Sequence, residues 1–216
     1  MLLLLLCELV VLQGGFFMHR KAELQIWIEG TIVAAIAMVL SFIPTNIGSS
    51  FSISLGMVPI TLYALRRGTK AGFFSAFIWG LLHFPLAQVY YLTPIQVIIE
   101  YILAFGFAGF AGLYSGKLTQ AIKNKEYAKS SRIIIYATCL GTLMRYFWHF
   151  IAGVVFWGSF ALWGMNPWVF SFVMNGLSGG ATAIVTSVVL VILLKINPNL
   201  FIPTSLRVIS PNNEAE

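Results

Sequence analysis

Five polar side chains stand in stretches that are otherwise apolar: His83, Glu100, Arg145, His149 and Asn175. An ionisable group inside a membrane span costs about 2.5–3.5 kcal/mol on insertion scales, so each such residue raises a question of function. Together they offer an acid, imidazoles and an amide, and aromatic rings recur around them. Trp79 and His83 are four apart and share a helix face. His149, Gly153 and Trp157 recur at i, i+4 and i+8 on one face of another helix. Phe170 precedes Asn175 by five, and Tyr90 and Tyr91 follow the His83 segment. A carboxylate among indole and phenol rings suits a cation with aromatic character. The acid supplies charge and a bidentate acceptor, and the rings supply stacking and cation–π attraction of up to ~2 kcal/mol when desolvated. Gly153 leaves room for a flat ligand or for a closely packed helix. Arg145 reads as structural, pairing with helix-end carbonyls or a neighbouring acid, and His83 as a packing histidine. A salt bridge to Arg145 is the structural alternative for Glu100.

The elements that must position these groups follow from composition. The chain has 216 residues, of which 59% are hydrophobic, 15% aromatic and only 9% charged; its mean hydropathy is +0.88 and aspartate is absent. A soluble domain is about 25% charged, so this chain cannot cover a water-facing surface. Soluble enzymes, nucleic-acid binders and disordered proteins are thereby excluded. A span needs ~20 apolar residues, which limits the chain to six or seven.

Apolar runs and their breakers place six spans. The first is 24–43, closed by Pro44, and the second is 54–65, stopped by Arg66-Arg67-Gly68. The third is 70–88, with Pro85 bending or ending it. The fourth opens at Thr93-Pro94 and runs to 114; the fifth is 132–157. The sixth opens at Asn166-Pro167 and runs to 194. Both Thr-Pro and Asn-Pro pair an N-cap residue with proline at the first helical position. Strands are not indicated, because the runs are long and do not alternate. The predicted fold is an all-α membrane protein with six transmembrane helices and both termini cytoplasmic.

The net charge of +6 sorts the topology. With both ends inside, every Lys and Arg except Arg145 falls on the cytoplasmic side, and the connections 44–53, 89–93 and 158–166 contain none. This is the positive-inside pattern, so the basic balance is no footprint for nucleic acid. At 1.5 Å per residue, Glu100 lies roughly 9 Å below the outer end of its helix, and His149 and Asn175 roughly 12 Å below theirs. Three helices therefore bring an acid, an imidazole and an amide to similar depth, which describes an outward-facing pocket. Glu100 is the sole acid in the outer half of any span. Glu29, near the inner end of the first span, snorkels to the interface, and Trp163 and Trp168 read as interfacial anchors.

Residues 1–17 form an apolar extension outside the core. They lack a basic start and a cleavage pattern, so they make a poor signal peptide. The core domain covers 18–197, and 198–216 is a cytoplasmic tail. Cys7 and Cys139 have neither metal nor disulfide spacing. No phosphate-binding loop occurs, so an ATPase would have to be another chain. An intramembrane hydrolase could use Glu100 with His149 or His83, but neither an H-E-x-x-H motif nor an evident serine nucleophile is present. A passive channel needs polar groups along a whole path, and the inner halves of spans three to six are nearly uncharged. No enzyme activity, metal or cofactor is expected.

Glu100-Tyr101, the run from Tyr146 through His149 and Gly153 to Trp157, and Val173-Met174-Asn175-Gly176 resemble the thiamine transporter family. These proteins are the substrate-binding S components of energy-coupling factor (ECF) transporters. Trp79 to Phe84 resembles the family's third helix, and the likeness covers about 18–195. The resemblance implies binding of thiamine from outside. Glu100 and Asn175 would hydrogen-bond the ligand, and His149 and Trp157 would stack on or hold its rings. Tyr101, Trp79, Tyr90 and Gly153 would line the same site, with Phe170 where the family usually has tyrosine. It also implies a lid at the first outer loop, about 44–54, where the family's tryptophan is missing and Phe51 is the one aromatic. Thr31 and Ala35 resemble the small-residue motif that packs on a membrane coupling subunit, and two ABC ATPases would complete the transporter. A related S component for another vitamin would keep the fold and change the ligand.

Overall fold

The structure, a computed structural model, describes residues 23–47, 51–162 and 164–203. The 1–17 extension, Cys7, the Trp163 anchor and all but the start of the tail lie outside the described residues. Among the described residues six helices carry the fold. They are α1 (Glu23–Ser41), α2 (Met57–Arg67), α3 (Thr69–Leu82), α4 (Pro94–Lys123), α5 (Tyr127–Val155) and α6 (Pro167–Ile196). Of these α1, α4 and α6 are long and apolar enough to cross a membrane.

Their surfaces suit hydrocarbon. Ile32, Leu143, Phe172 and Ile184 are each more than half exposed. In water such a belt would be an association surface; in a bilayer it faces lipid. The two sequence-predicted caps are present. The Thr93 side chain accepts from the Gln96 N–H at 3.2 Å ahead of Pro94, and that of Asn166 accepts from the Trp168 N–H at 2.9 Å ahead of Pro167.

The boundaries depart from the sequence reading in informative ways. Helix α3 stops at Leu82 instead of 88, and the chain runs irregularly through Pro85 to Thr93. Helix α4 continues past 114 to Lys123, because the polar stretch Ser115–Lys123 presents Leu118, Ala121 and Ile122 to the core. Within α4, Ile98–Leu103 is a π-helical turn and Ala108–Tyr114 is a tighter 3₁₀ stretch. A short antiparallel pair, β1 (Asn46–Ile47) with β2 (Phe51–Ser52), occupies the first loop, where no strand is indicated by the sequence.

Two apolar clusters divide the interior. At one end Leu65, Leu118, Ile134, Leu190 and Leu194 close around Phe201, from a short 3₁₀ turn after α6. Glu29 of α1 pairs there with Arg66 at 2.8 Å and Arg67 at 2.7 Å, so it is bridged by two arginines instead of simply snorkelling. Towards the other end Met38, Met57, Ile60, Trp79 and Phe105 form the second cluster. Above it the interior opens into a cavity.

Candidate functional site

The cavity has a volume of about 740 Å³ and is bordered by the ends of α4, α5 and α6 that lie away from the Phe201 cluster. Eight of the nine sequence-predicted ligand residues border it: Tyr90, Glu100, Tyr101, His149, Gly153, Trp157, Phe170 and Asn175. The ninth, Trp79, lies beneath it. Trp79 is 1% exposed, its indole N–H donates to Ser41 Oγ at 3.1 Å, and it borders a smaller adjoining cavity.

Glu100 sits in the π turn of α4. Such turns widen the helix by one residue and frequently occur at functional sites. A Cβ at Gly80 of α3 would stand 1.9 Å from the Tyr101 carbonyl oxygen. Glycine there lets the widened turn lean on α3. Both carboxylate oxygens of Glu100 are engaged. Trp157 Nε1–H donates to Oε1 at 2.7 Å, and Gln96 Nε2 donates to Oε2. Trp157, expected to stack on or hold the ligand's rings, also holds the acid through its indole N–H. Glu100 makes no ion pair with Arg145 among the described residues.

Gln96 was not singled out from the sequence, and it organises this corner. It is wholly buried; its amide also donates to Tyr90 O at 3.0 Å and accepts from the Leu92 N–H at 3.1 Å. The Tyr90 N–H in turn donates to Tyr101 Oη at 3.0 Å. One amide thus ties the loop carrying Tyr90 to the carboxylate. Its position, one helical turn before Glu100, was the available signal.

The opposite wall comes from α5 and α6. Gly153 resolves in favour of close packing. A Cβ there would meet Ser171 Oγ at 2.3 Å and Asn175 Nδ2 at 3.3 Å. Asn175 Nδ2 donates to Ser171 O at 3.0 Å and to Ser171 Oγ at 3.1 Å, while the Ser171 hydroxyl donates to Phe150 O at 2.8 Å. Ser171 is a further cavity residue that the sequence did not single out. Helix α5 ends at Val155, so Trp157 reaches the cavity from just beyond the helix instead of from its continuing face.

The floor is aromatic and cationic. Phe105 and Tyr101 stack at 5.9 Å and 14° between planes. His149 lies 6.2 Å from Phe105 and 5.6 Å from Tyr146, ring to ring. His83 Nδ1–H donates to Trp79 O at 2.9 Å, as a packing histidine would, yet the ring also borders the cavity. Arg145 was expected to pair with carbonyls or an acid. Instead Nη1 donates to Ser54 Oγ at 2.7 Å, and the guanidinium lies 4.3 Å from the Phe105 ring centre and 4.7 Å from that of Trp79. Thr31 and Ala35 lie outside the site, exposed on α1, where the Thr31 hydroxyl donates to Trp27 O at 2.9 Å.

An acid held at two oxygens, opposite an amide and over aromatic rings, can bind a flat cation with hydrogen-bonding edges. No group of three or more metal-ligating side chains occurs among the described residues.

Comparison with known proteins agrees in scale with this fold. The profile described as Thiamine transporter protein (Thia_YuaJ) matches residues 27–202. The thiamine transporter ThiT of Lacticaseibacillus paracasei is 38% identical over 189 residues, 86% of this chain and 94% of the relative. ThiT of Bacillus subtilis is 30% identical over 186 residues, 85% of this chain and 97% of the relative. A solved structure of ThiT from Listeria monocytogenes superposes with a TM-score of 0.83 at 47% identity, covering 84% of this chain and all of that one. The relatives are named as transporters, and the chain belongs to the thiamine transporter protein family.

Proposed function

We propose that the chain binds thiamine in the 740 Å³ cavity and mediates its uptake. Thiamine is a permanent cation with two aromatic rings. The observation that carries this reading is Glu100, the one carboxylate bordering the cavity among the described residues, held by Trp157 and Gln96 beside stacked aromatic rings. In this reading Glu100 and Asn175 fix the polar edges of the ligand. His149, Trp157, Tyr101 and Phe170 pack on or hold its rings, Tyr90 and Gly153 shape the walls, and Trp79 supports the floor. The segment 44–54 covers the filled site.

The remaining parts of the reading are an S component of an ECF-type transporter with six spans and both termini cytoplasmic, in a bacterial cell membrane. The positive-inside pattern supports the orientation, and the bacterial sources of the relatives support the compartment. Thr31 and Ala35 are exposed and small, as a face for a coupling subunit requires, and two ABC ATPases would supply the energy.

Titration of the purified protein with thiamine, followed by quenching of tryptophan fluorescence, tests the reading. Saturable quenching is expected, with Trp157 as the reporter nearest the site. No binding would overturn it. Phe51 in place of a lid tryptophan and Phe170 in place of tyrosine also fit an S component for another vitamin, and mass spectrometry of the copurified ligand separates the two.

A further inference from the structure

Arg145 is a buried cation in search of a counter-ion. It is 6% exposed, and no carboxylate pairs with it among the described residues. Nη1 donates to Ser54 Oγ and Nε has no hydrogen-bond partner. The faces of Phe105 and Trp79 attract the guanidinium but do not neutralise it. A buried, unneutralised charge is costly, and here packing does not enclose it completely.

Arg145 borders two spaces: the main cavity, and an adjoining one of about 210 Å³ beneath the first loop. The smaller space has a distinctive lining. Ser52, Ser54, Ser178, Asn46 and Asn175 border it together with Arg145, whose guanidinium touches the Ser54 hydroxyl, and no carboxylate borders it among the described residues. A cation would find no charge partner there. An oxyanion would find a forked guanidinium and neutral donors, the arrangement that recognises phosphate. Glu100 borders the main cavity alone. The joined space is therefore acidic at one end and cationic at the other.

We infer that the smaller cavity at Arg145 is an oxyanion subsite that takes a phosphoryl group. That group has two possible sources, a phosphate ester at the far end of the cationic ligand or a free phosphate ion bound beside it. The ester arm of the test rests on the proposed thiamine reading, and the free-phosphate arm does not.

Three titrations of wild type, Arg145→Met and Arg145→Lys decide it: thiamine, thiamine monophosphate, and thiamine in inorganic phosphate against chloride at equal ionic strength. If the ester is the source, Arg145→Met weakens the monophosphate about tenfold more than thiamine, and inorganic phosphate leaves thiamine affinity unchanged. If free phosphate is the source, it tightens thiamine about threefold in wild type and not in Arg145→Met. Arg145→Lys keeps the charge without the fork and is expected to retain part of either effect, which keeps the test available if the methionine variant does not fold. An unchanged ratio of ester to thiamine affinity in the variants, with no phosphate effect on wild type, overturns the subsite and leaves Arg145 a packing cation. Should wild type bind neither thiamine compound, the function proposed above fails. The subsite then stands or falls on whether phosphate raises the thermal midpoint over chloride in wild type and not in the variants.

Discussion

The same three helices, α4, α5 and α6, build both ends of the molecule, and the ends obey different rules. Around Phe201 the helices meet through Leu118, Ile134, Leu190 and Leu194, all buried to within 1%, with the Glu29–Arg66–Arg67 ion pairs at the margin of the apolar cluster. Around Glu100 the links between them are hydrogen bonds: the Trp157 indole, just past α5, donates to the acid of α4, and the Ser171 hydroxyl of α6 donates to Phe150 O of α5. One end is filled and the other is held open. The lesson is that openness here is structured. Gln96, Glu100 and Ser171 are each tied to a neighbouring helix or loop, which holds the cavity walls in place without packing the space between them.

Substitutions at the two ends should therefore separate stability from binding. The largest effect on stability is expected at the filled end. Phe201→Ala should remove about 3–5 kcal/mol, read as a lowered thermal midpoint, while thiamine affinity measured well below that midpoint stays within about twofold of wild type. A parallel loss of affinity would show that the ends are not separable. At the open end Gly153→Val should do the opposite. The added atoms press on Ser171 and Asn175, and an overpacking cost of about 1–3 kcal/mol should appear mainly as a tenfold or greater loss of affinity, since a side-chain hydroxyl can yield where backbone cannot.

Smaller effects sharpen the account of the acid. Gln96→Leu leaves Tyr90 O, the Leu92 N–H and Glu100 Oε2 without their partner. A loss of ~1–3 kcal/mol divided between stability and binding is expected, with the binding share close to tenfold. Binding unchanged by calorimetry would mean that Gln96 serves the loop alone. Phe170→Tyr restores one hydroxyl beside the cavity and should tighten thiamine about threefold to tenfold, the value of one hydrogen bond; weaker binding would mean that the ring edge, and not a hydroxyl, faces the ligand.

Much of this was legible in the sequence because a membrane makes polar residues conspicuous. Scarcity of charge singled out Glu100, helix rise brought His149 and Asn175 to similar depth, and helical spacing put Gly153 on the face of His149. The cavity gathers them with Phe170 and Tyr90. What was not legible depends on local departures from ideal helices. The π turn at Ile98–Leu103 shifts the register on which periodic arguments rely. The early end of α3 and the long polar finish of α4 reflect packing against neighbours, which hydropathy does not report. Gln96 was overlooked because an uncharged amide near a helix start looks like an ordinary surface residue. The environment of Arg145 was misjudged because aromatic faces and a serine from a distant loop, Ser54, replaced the acid that simple pairing rules supply.

The central claim is that Glu100 is the ligand's charge partner in an already shaped cavity. It is tested most directly by titrating thiamine into wild type and Glu100→Gln under identical conditions. Glutamine keeps the shape and one acceptor oxygen, and removes the charge. The account predicts an affinity at least about tenfold weaker, roughly 1.4 kcal/mol, with the ligand-free thermal midpoint lowered by no more than the loss of one hydrogen bond, about 1–3 kcal/mol. Equal affinity in the two proteins would contradict it.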